Sequence, residues 1–191
     1  MLHSCVLAVV LAAIPVPVLL PAQDATTAQS KPAVSASKAS RPRKPDFTKA
    51  PYTDFDFWVG RWEVKTLQGR PAGKNTIRKI LGGAAVQEDW VGAGGGPGRS
   101  LNMYDFRTRK WHQTWCDSSG THLRLSGGLI DGNMLLVGEQ PGVNGGTVKH
   151  EIKWTPRKDG SVRQTWRATR DGKTWRVLAD LIYVRAKPGK R

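Results

Sequence analysis

The chain has 191 residues, room for one domain of ordinary size with a tail. Its 21 glycines and 12 prolines scatter turns along the whole length, which excludes long helical bundles and coiled coils. Thirty Lys and Arg against 15 Asp and Glu give a net charge of +15, and two cysteines, Cys5 and Cys116, exclude a disulfide framework or a cysteine zinc site.

Residues 5–20 form an apolar run of 16 residues without charge, CVLAVVLAAIPVPVLL. At about 1.5 Å per helical residue it falls short of a ~30 Å hydrocarbon core, and Pro15 and Pro17 weaken it as a helix. Leu20-Pro21-Ala22 behind it resembles a small-residue cleavage site. The expectation is a signal peptide over residues 1–22, cleaved near Ala22. That address is periplasmic or secreted, with no transmembrane segment in the mature chain. Cys5 leaves with the leader, so Cys116 remains alone and no intramolecular disulfide forms.

Residues 23–50 are Ala, Ser, Thr, Lys and Pro with one aromatic, Phe47. Such a segment buries too little apolar surface to offset its ordering entropy, and it reads as a disordered basic spacer. It carries +4 of the net charge and leaves +11 to residues 51–191, which also hold all eight tryptophans. The domain is therefore expected over 51–191.

From Asp56 to Val184 short alternating runs are separated by turn chemistry at 69–73, 82–83, 92–98, 107–109, 117–120, 131–132, 141–146, 156–160 and 171–172. Nine breaks predict ten strands, and Asp-Gly between apolar runs is the strongest hairpin signal because the turn needs positive φ. No helical periodicity survives three turns without a Gly or Pro. The fold class expected is all-β, an antiparallel meander whose near-even strands close into a barrel and so hide their edges.

Period two then assigns faces. On the third run Glu88 falls in register with Val86 and Trp90, while Asp89 points the other way. Glu88 is thus one inward charge, which needs an arginine or a ligand cation as partner, with Arg78 and Arg124 as the candidate arginines. The fifth run places Trp111, Gln113 and Trp115 together; the eighth Val148, His150, Ile152 and Trp154; the ninth Val162, Gln164, Trp166 and Ala168. On the tenth, Trp175, Val177, Ala179, Leu181 and Tyr183 share one side. Gln113 and Gln164 are unexpected inside a wholly apolar core, since a buried amide without partners costs about 1–3 kcal/mol. Either they mark an interior that admits ligand, or they sit at a rim and meet solvent.

Gly60-Arg61-Trp62 on the first strand resembles the Gly-x-Trp signature that opens lipocalins and other calycin barrels. The wider pattern is similar to a family of uncharacterised, exported lipocalin-like bacterial proteins. It runs from Phe57-Trp58-Val59 through Leu81-Gly82-Gly83, Glu88-Asp89-Trp90, Tyr104-Asp105, Lys110-Trp111 and Gln113-Thr114-Trp115 to Asp171-Gly172-Lys173-Thr174-Trp175. The resemblance implies that Trp62 plugs one end of the barrel with Arg185 stacked on it. It also implies binding of a small ligand inside.

The function expected is capture of a small apolar or aromatic ligand. Trp90, Trp111, Trp115, Trp154 and Trp166 would form the walls, and Gln113, Gln164 and His150 would orient the ligand. No catalytic residue is identified: Cys116 precedes Asp117, which offers no activation, and Glu88 and Asp89 face opposite ways. Gly172-Lys173-Thr174 lacks the upstream glycine of a phosphate loop, with Arg167 in its place, and Gly94-Gly95-Gly96 fits no dinucleotide spacing. His112, His122 and His150 have no ligand partners at metal spacing, and no cofactor is expected. Nitrobindin-like barrels hold haem through a His near the C-terminus, and no His follows His150. Haem binding or an enzyme using the same cavity is the alternative, as is an envelope interaction module with a filled barrel. The basic charge suits loose attraction to anionic envelope polymers rather than specific nucleic-acid recognition.

Overall fold

The computed structural model describes residues 45–187. Residues 1–22, expected as a signal peptide, and most of the expected spacer lie outside the described residues. The chain forms ten antiparallel strands: β1 (Gly60–Thr66), β2 (Pro71–Ile80), β3 (Ala85–Gly92), β4 (Pro97–Asp105), β5 (Lys110–Asp117), β6 (His122–Ile130), β7 (Asn133–Pro141), β8 (Thr147–Pro156), β9 (Val162–Thr169) and β10 (Arg176–Arg185). Each pairs with its sequence neighbours, and β1 pairs with β10 through Trp62↔Arg185 to Thr66↔Leu181, so the sheet is a closed barrel. Closure leaves no free edge. Among the described residues no helix is long and apolar enough to cross a membrane.

All nine predicted breaks are turns between strands. Asp131 and Gly132 form a two-residue hairpin connection with both φ positive, +48° and +73°, as the Asp-Gly rule requires. Asp171-Gly172 lies in a longer connection, where the Asp171 carboxylate accepts from the Lys173 and Thr174 backbone N–H groups and from Thr169 Oγ1. These donors hold the Asp171 carboxyl well below the usual carboxylate range.

An up-and-down barrel sends alternate turns to opposite ends. One end is closed by the segment before β1, a short 3-10 turn over Asp56–Trp58. Phe55 and Trp58 are fully buried and stack at 4.8 Å, and Trp154 lies 5.1 Å from the Phe55 ring and 5.4 Å from the Trp58 ring. Trp111 meets Phe55 edge-on at 5.7 Å. Burying one such side chain contributes roughly 2–3 kcal/mol, and each aromatic pair about 0.5–1.5 kcal/mol more. Lys79 Nζ, 2.8 Å from Asp56, ties the turn to β2.

A clasp locks this plug. Trp62 Nε1 donates to the Trp58 carbonyl at 2.8 Å, the Arg185 guanidinium lies 4.0 Å above the Trp62 ring, and Arg185 Nη1 donates to the Val59 carbonyl at 2.6 Å. The Trp62–Arg185 pairing implied by the resemblance is present. Gly60 makes it fit: its φ is +149°, and a Cβ there would overlap Arg185 Nη1. Further along, the segment over residues 45–50, spacer by composition, carries Phe47 edge-on to Tyr52, which in turn packs on Tyr104.

The face assignments hold on β3, β5, β8 and β9. On β10 one correction is needed. The ladder shifts register between Val177 and Ala179, so Ala179, Leu181 and Tyr183 face inward but Val177 pairs with Arg167 and is 62% exposed. A bulge inserts one residue and flips everything before it to the other face. Trp175 is accordingly outside, with the Arg167 guanidinium 4.6 Å over its ring.

Candidate functional site

Opposite the plug, the barrel holds a cavity of about 250 Å³. Its walls are the indoles of Trp90, Trp115 and Trp166, with Leu123, Ile152 and Leu181 between them. Its polar lining is Glu88, Gln113, Gln164 and Tyr183, with Asp117 at the last residue of β5.

Two glycines seat the walls. A Cβ at Gly73 would come within 2.6 Å of the Trp90 ring, and a Cβ at Gly98 would overlap the Trp115 ring. Each indole therefore packs against a glycine of the neighbouring strand, which a larger residue would prevent. Trp115 Nε1 donates to Asp117 Oδ2 at 3.1 Å, and Trp166 Nε1 to His150 Nδ1 at 3.0 Å, so both ring planes are tethered. Partial burial raises the Asp117 carboxyl, but donors from Ser119, Trp115 and Thr121 outweigh it and the net shift is downward.

Beneath the walls runs a directed hydrogen-bond network. Asn102 Nδ2 donates to the Val86 carbonyl at 3.1 Å, an unambiguous acceptor that fixes the Asn102 amide, and also to Ser100 Oγ at 2.9 Å. Asn102 Oδ1 then accepts from Gln113 Nε2 at 2.8 Å, and Ser100 Oγ donates to Glu88 Oε2 at 2.6 Å. From the other side Asn75 Nδ2 donates to Glu88 Oε1 at 2.6 Å, and Tyr183 Oη donates to Gln164 Oε1 at 2.9 Å.

Glu88 is 3% exposed. Burial pushes its carboxyl up to about 7, against the opposing pull of the Ser100 and Asn75 donors and with a small further push from the Asp89 charge. Burial also raises the Tyr183 phenol well above its ordinary value, reinforced by the Glu88 charge.

The expected arginine partner for Glu88 is corrected by this arrangement. Arg78 is on the outer face, 2.9 Å from Asp89, which Arg99 also approaches at 2.8 Å; Arg124 is exposed. Inward and outward positions alternate, so neither arginine can reach an inward carboxyl on β3. The Asn75 amide and the Ser100 hydroxyl meet it instead.

Of the residues expected to bind ligand, Trp90, Gln113, Trp115, Gln164 and Trp166 are brought together on the cavity lining. Trp111 and Trp154 belong to the aromatic plug at the other end. His150 faces a second hollow, between β8, β9 and β10, with Arg170, Asp171 and Arg176 around it. Burial lowers its pKa, and it reaches the cavity only through its bond to Trp166. Among the described residues no three His, Cys, Asp or Glu side chains converge as metal ligands.

Sequence reasoning missed Asn75, Ser100 and Asn102, all buried. The signal available was the shared inward phase of three neighbouring strands, since Asn75 pairs with Trp90 and Ser100 with Glu88. No protein-family model matches the chain, and no curated protein matches it.

Proposed function

We propose that the protein is an exported, lipocalin-like binding protein that holds a small molecule with an apolar or aromatic body inside the barrel. The observation that carries this reading is the cavity of about 250 Å³ walled by three indoles over a buried polar floor. A barrel serving only as a scaffold gains nothing from an unfilled interior, because voids forfeit packing contacts. Support for the lipocalin kinship is the Gly60-Arg61-Trp62 start under the Arg185 clasp. Support for export is the apolar leader of residues 5–20.

Native mass spectrometry of protein purified from the cells that make it tests the reading. The expected result is a small mass excess that vanishes on denaturation, on a chain that starts near residue 23. Changing both Gln113 and Gln164 to Leu should weaken retention of that ligand while the fold persists. A clean apo mass together with no quenching of tryptophan fluorescence by any small aromatic compound would refute it.

A further inference from the structure

Charge distinguishes the cavity from the rest of the molecule. The chain carries +15, yet among the described residues the ionisable side chains lining the cavity are Glu88, Asp117 and Tyr183, with no Lys, Arg or His. The nearby arginines are spent on the outer face, where Arg78 and Arg99 clamp Asp89, Arg167 grips Glu151 at 2.7 Å and Arg163 grips Asp180 at 2.6 Å. Glu88 thus has no protein cation facing it from β2, β4 or β10, the elements that supply Asn75, Ser100 and Tyr183.

The network around Glu88 is nevertheless polarised for a carboxylate. Because Asn102 must donate to the Val86 carbonyl, the sequence of donors from Gln113 through Asn102 and Ser100 ends with a proton directed at Glu88 Oε2. Asn75 directs a second donor at Oε1. Hydrogen bonds of this polarity favour the charged form. Each carboxylate oxygen keeps a further lone pair for a group in the cavity. A buried carboxylate with donors but without a counter-ion is costly unless something cationic completes it.

The indoles of Trp90, Trp115 and Trp166 line the same space, and an indole attracts a cation through the negative side of its quadrupole. A carboxylate and three indoles on one lining form a receptor for positive charge on an apolar body. Size narrows the guest further. An apolar cavity of about 150 Å³ accommodates benzene, so one of about 250 Å³ takes a single ring with a short arm.

Building on the ligand-binding reading, we propose that the occupant is an organic cation, a monoaromatic or similarly compact amine. Its ammonium completes the Glu88 carboxylate, and its body lies against Trp90, Trp115 and Trp166. Glu88 sets selectivity among guests of the same shape, and Asp117 adds negative charge on the same lining.

Three matched probes test this: phenethylamine, phenethyl alcohol and hydrocinnamate, titrated calorimetrically into the whole protein. The amine should bind at least about tenfold tighter than the alcohol, and the anion weakest. Its affinity should rise roughly tenfold from about pH 6 to about pH 8, because Glu88 titrates near 7 while the amine stays protonated; the alcohol should stay flat. Glu88→Gln should abolish both the preference and the pH dependence. The pH series in the unaltered protein decides the question even where that variant fails to fold.

Equal binding of amine and alcohol, or preference for the anion, overturns the cation proposal and leaves the binding function standing. Binding of none of the three overturns both.

Discussion

Glu88→Gln also makes a prediction about the unliganded protein that needs no ligand at all. The folded carboxyl titrates at about 7 and the unfolded one near the ordinary 4.5, because burial penalises the charged form. Between those values the folded chain holds a proton that the unfolded chain has released. Stability is therefore fully present below the lower value and is lost as pH rises through the upper one. The lost amount is about 1.4 kcal/mol per unit over the difference, or roughly 3 kcal/mol, a large share of an ordinary domain's 5–15 kcal/mol. The amide that replaces the carboxyl in Glu88→Gln carries no titrating proton, so the variant's stability curve lacks this fall. Denaturant unfolding from about pH 4 to pH 8 reads the difference, and comparing slopes cancels the carboxylates common to both proteins. Parallel curves for the two proteins would refute the claim that Glu88 is a buried carboxyl without a counter-charge.

Gly98→Ala should push the Trp115 ring off β4 and into the cavity, since its Cβ would overlap that ring. The measurable outcome is loss of ligand retention and a changed near-ultraviolet dichroism, with stability lowered by about 1–3 kcal/mol. Arg185→Leu removes the stack on Trp62 and the bond to the Val59 carbonyl. It should cost about 1–2 kcal/mol in denaturant unfolding, the lower part of the range for a charged donor because Arg185 is exposed, with cavity binding unaltered.

The strand count and most face assignments were legible because turn chemistry is local: Asp131-Gly132 demands its hairpin whatever the rest of the chain does. The β10 bulge was not, since nothing in Trp175 to Tyr183 breaks the alternation, and the register shift is imposed by pairing with β9. The site divided along similar lines. Trp90, Trp115, Trp166 and both glutamines follow from period two, whereas β4 reads inside out. Leu101 and Met103 are 45% and 43% exposed while Ser100 and Asn102 are buried, so hydrophobicity alone would turn the polar network to solvent. Only the inward carboxyl on the neighbouring strand explains that inversion. Trp111 and Trp154 share an inward phase with the cavity residues but sit deeper, and periodicity cannot tell depth along a barrel from direction across it.

The seam between β1 and β10 has a kinetic consequence. The other nine strand pairings join sequence neighbours through short turns and can form as hairpins on their own. The seam alone joins distant parts of the chain; its clasp ties Arg185 to a carbonyl 126 residues away. Its loop-closure entropy must be met before any of its contacts reward it, so the seam is the pairing expected to form last. Until then the open sheet exposes two long edges. A chain interrupted or cut before Arg176 would be left in that form, open to pairing with its own copies.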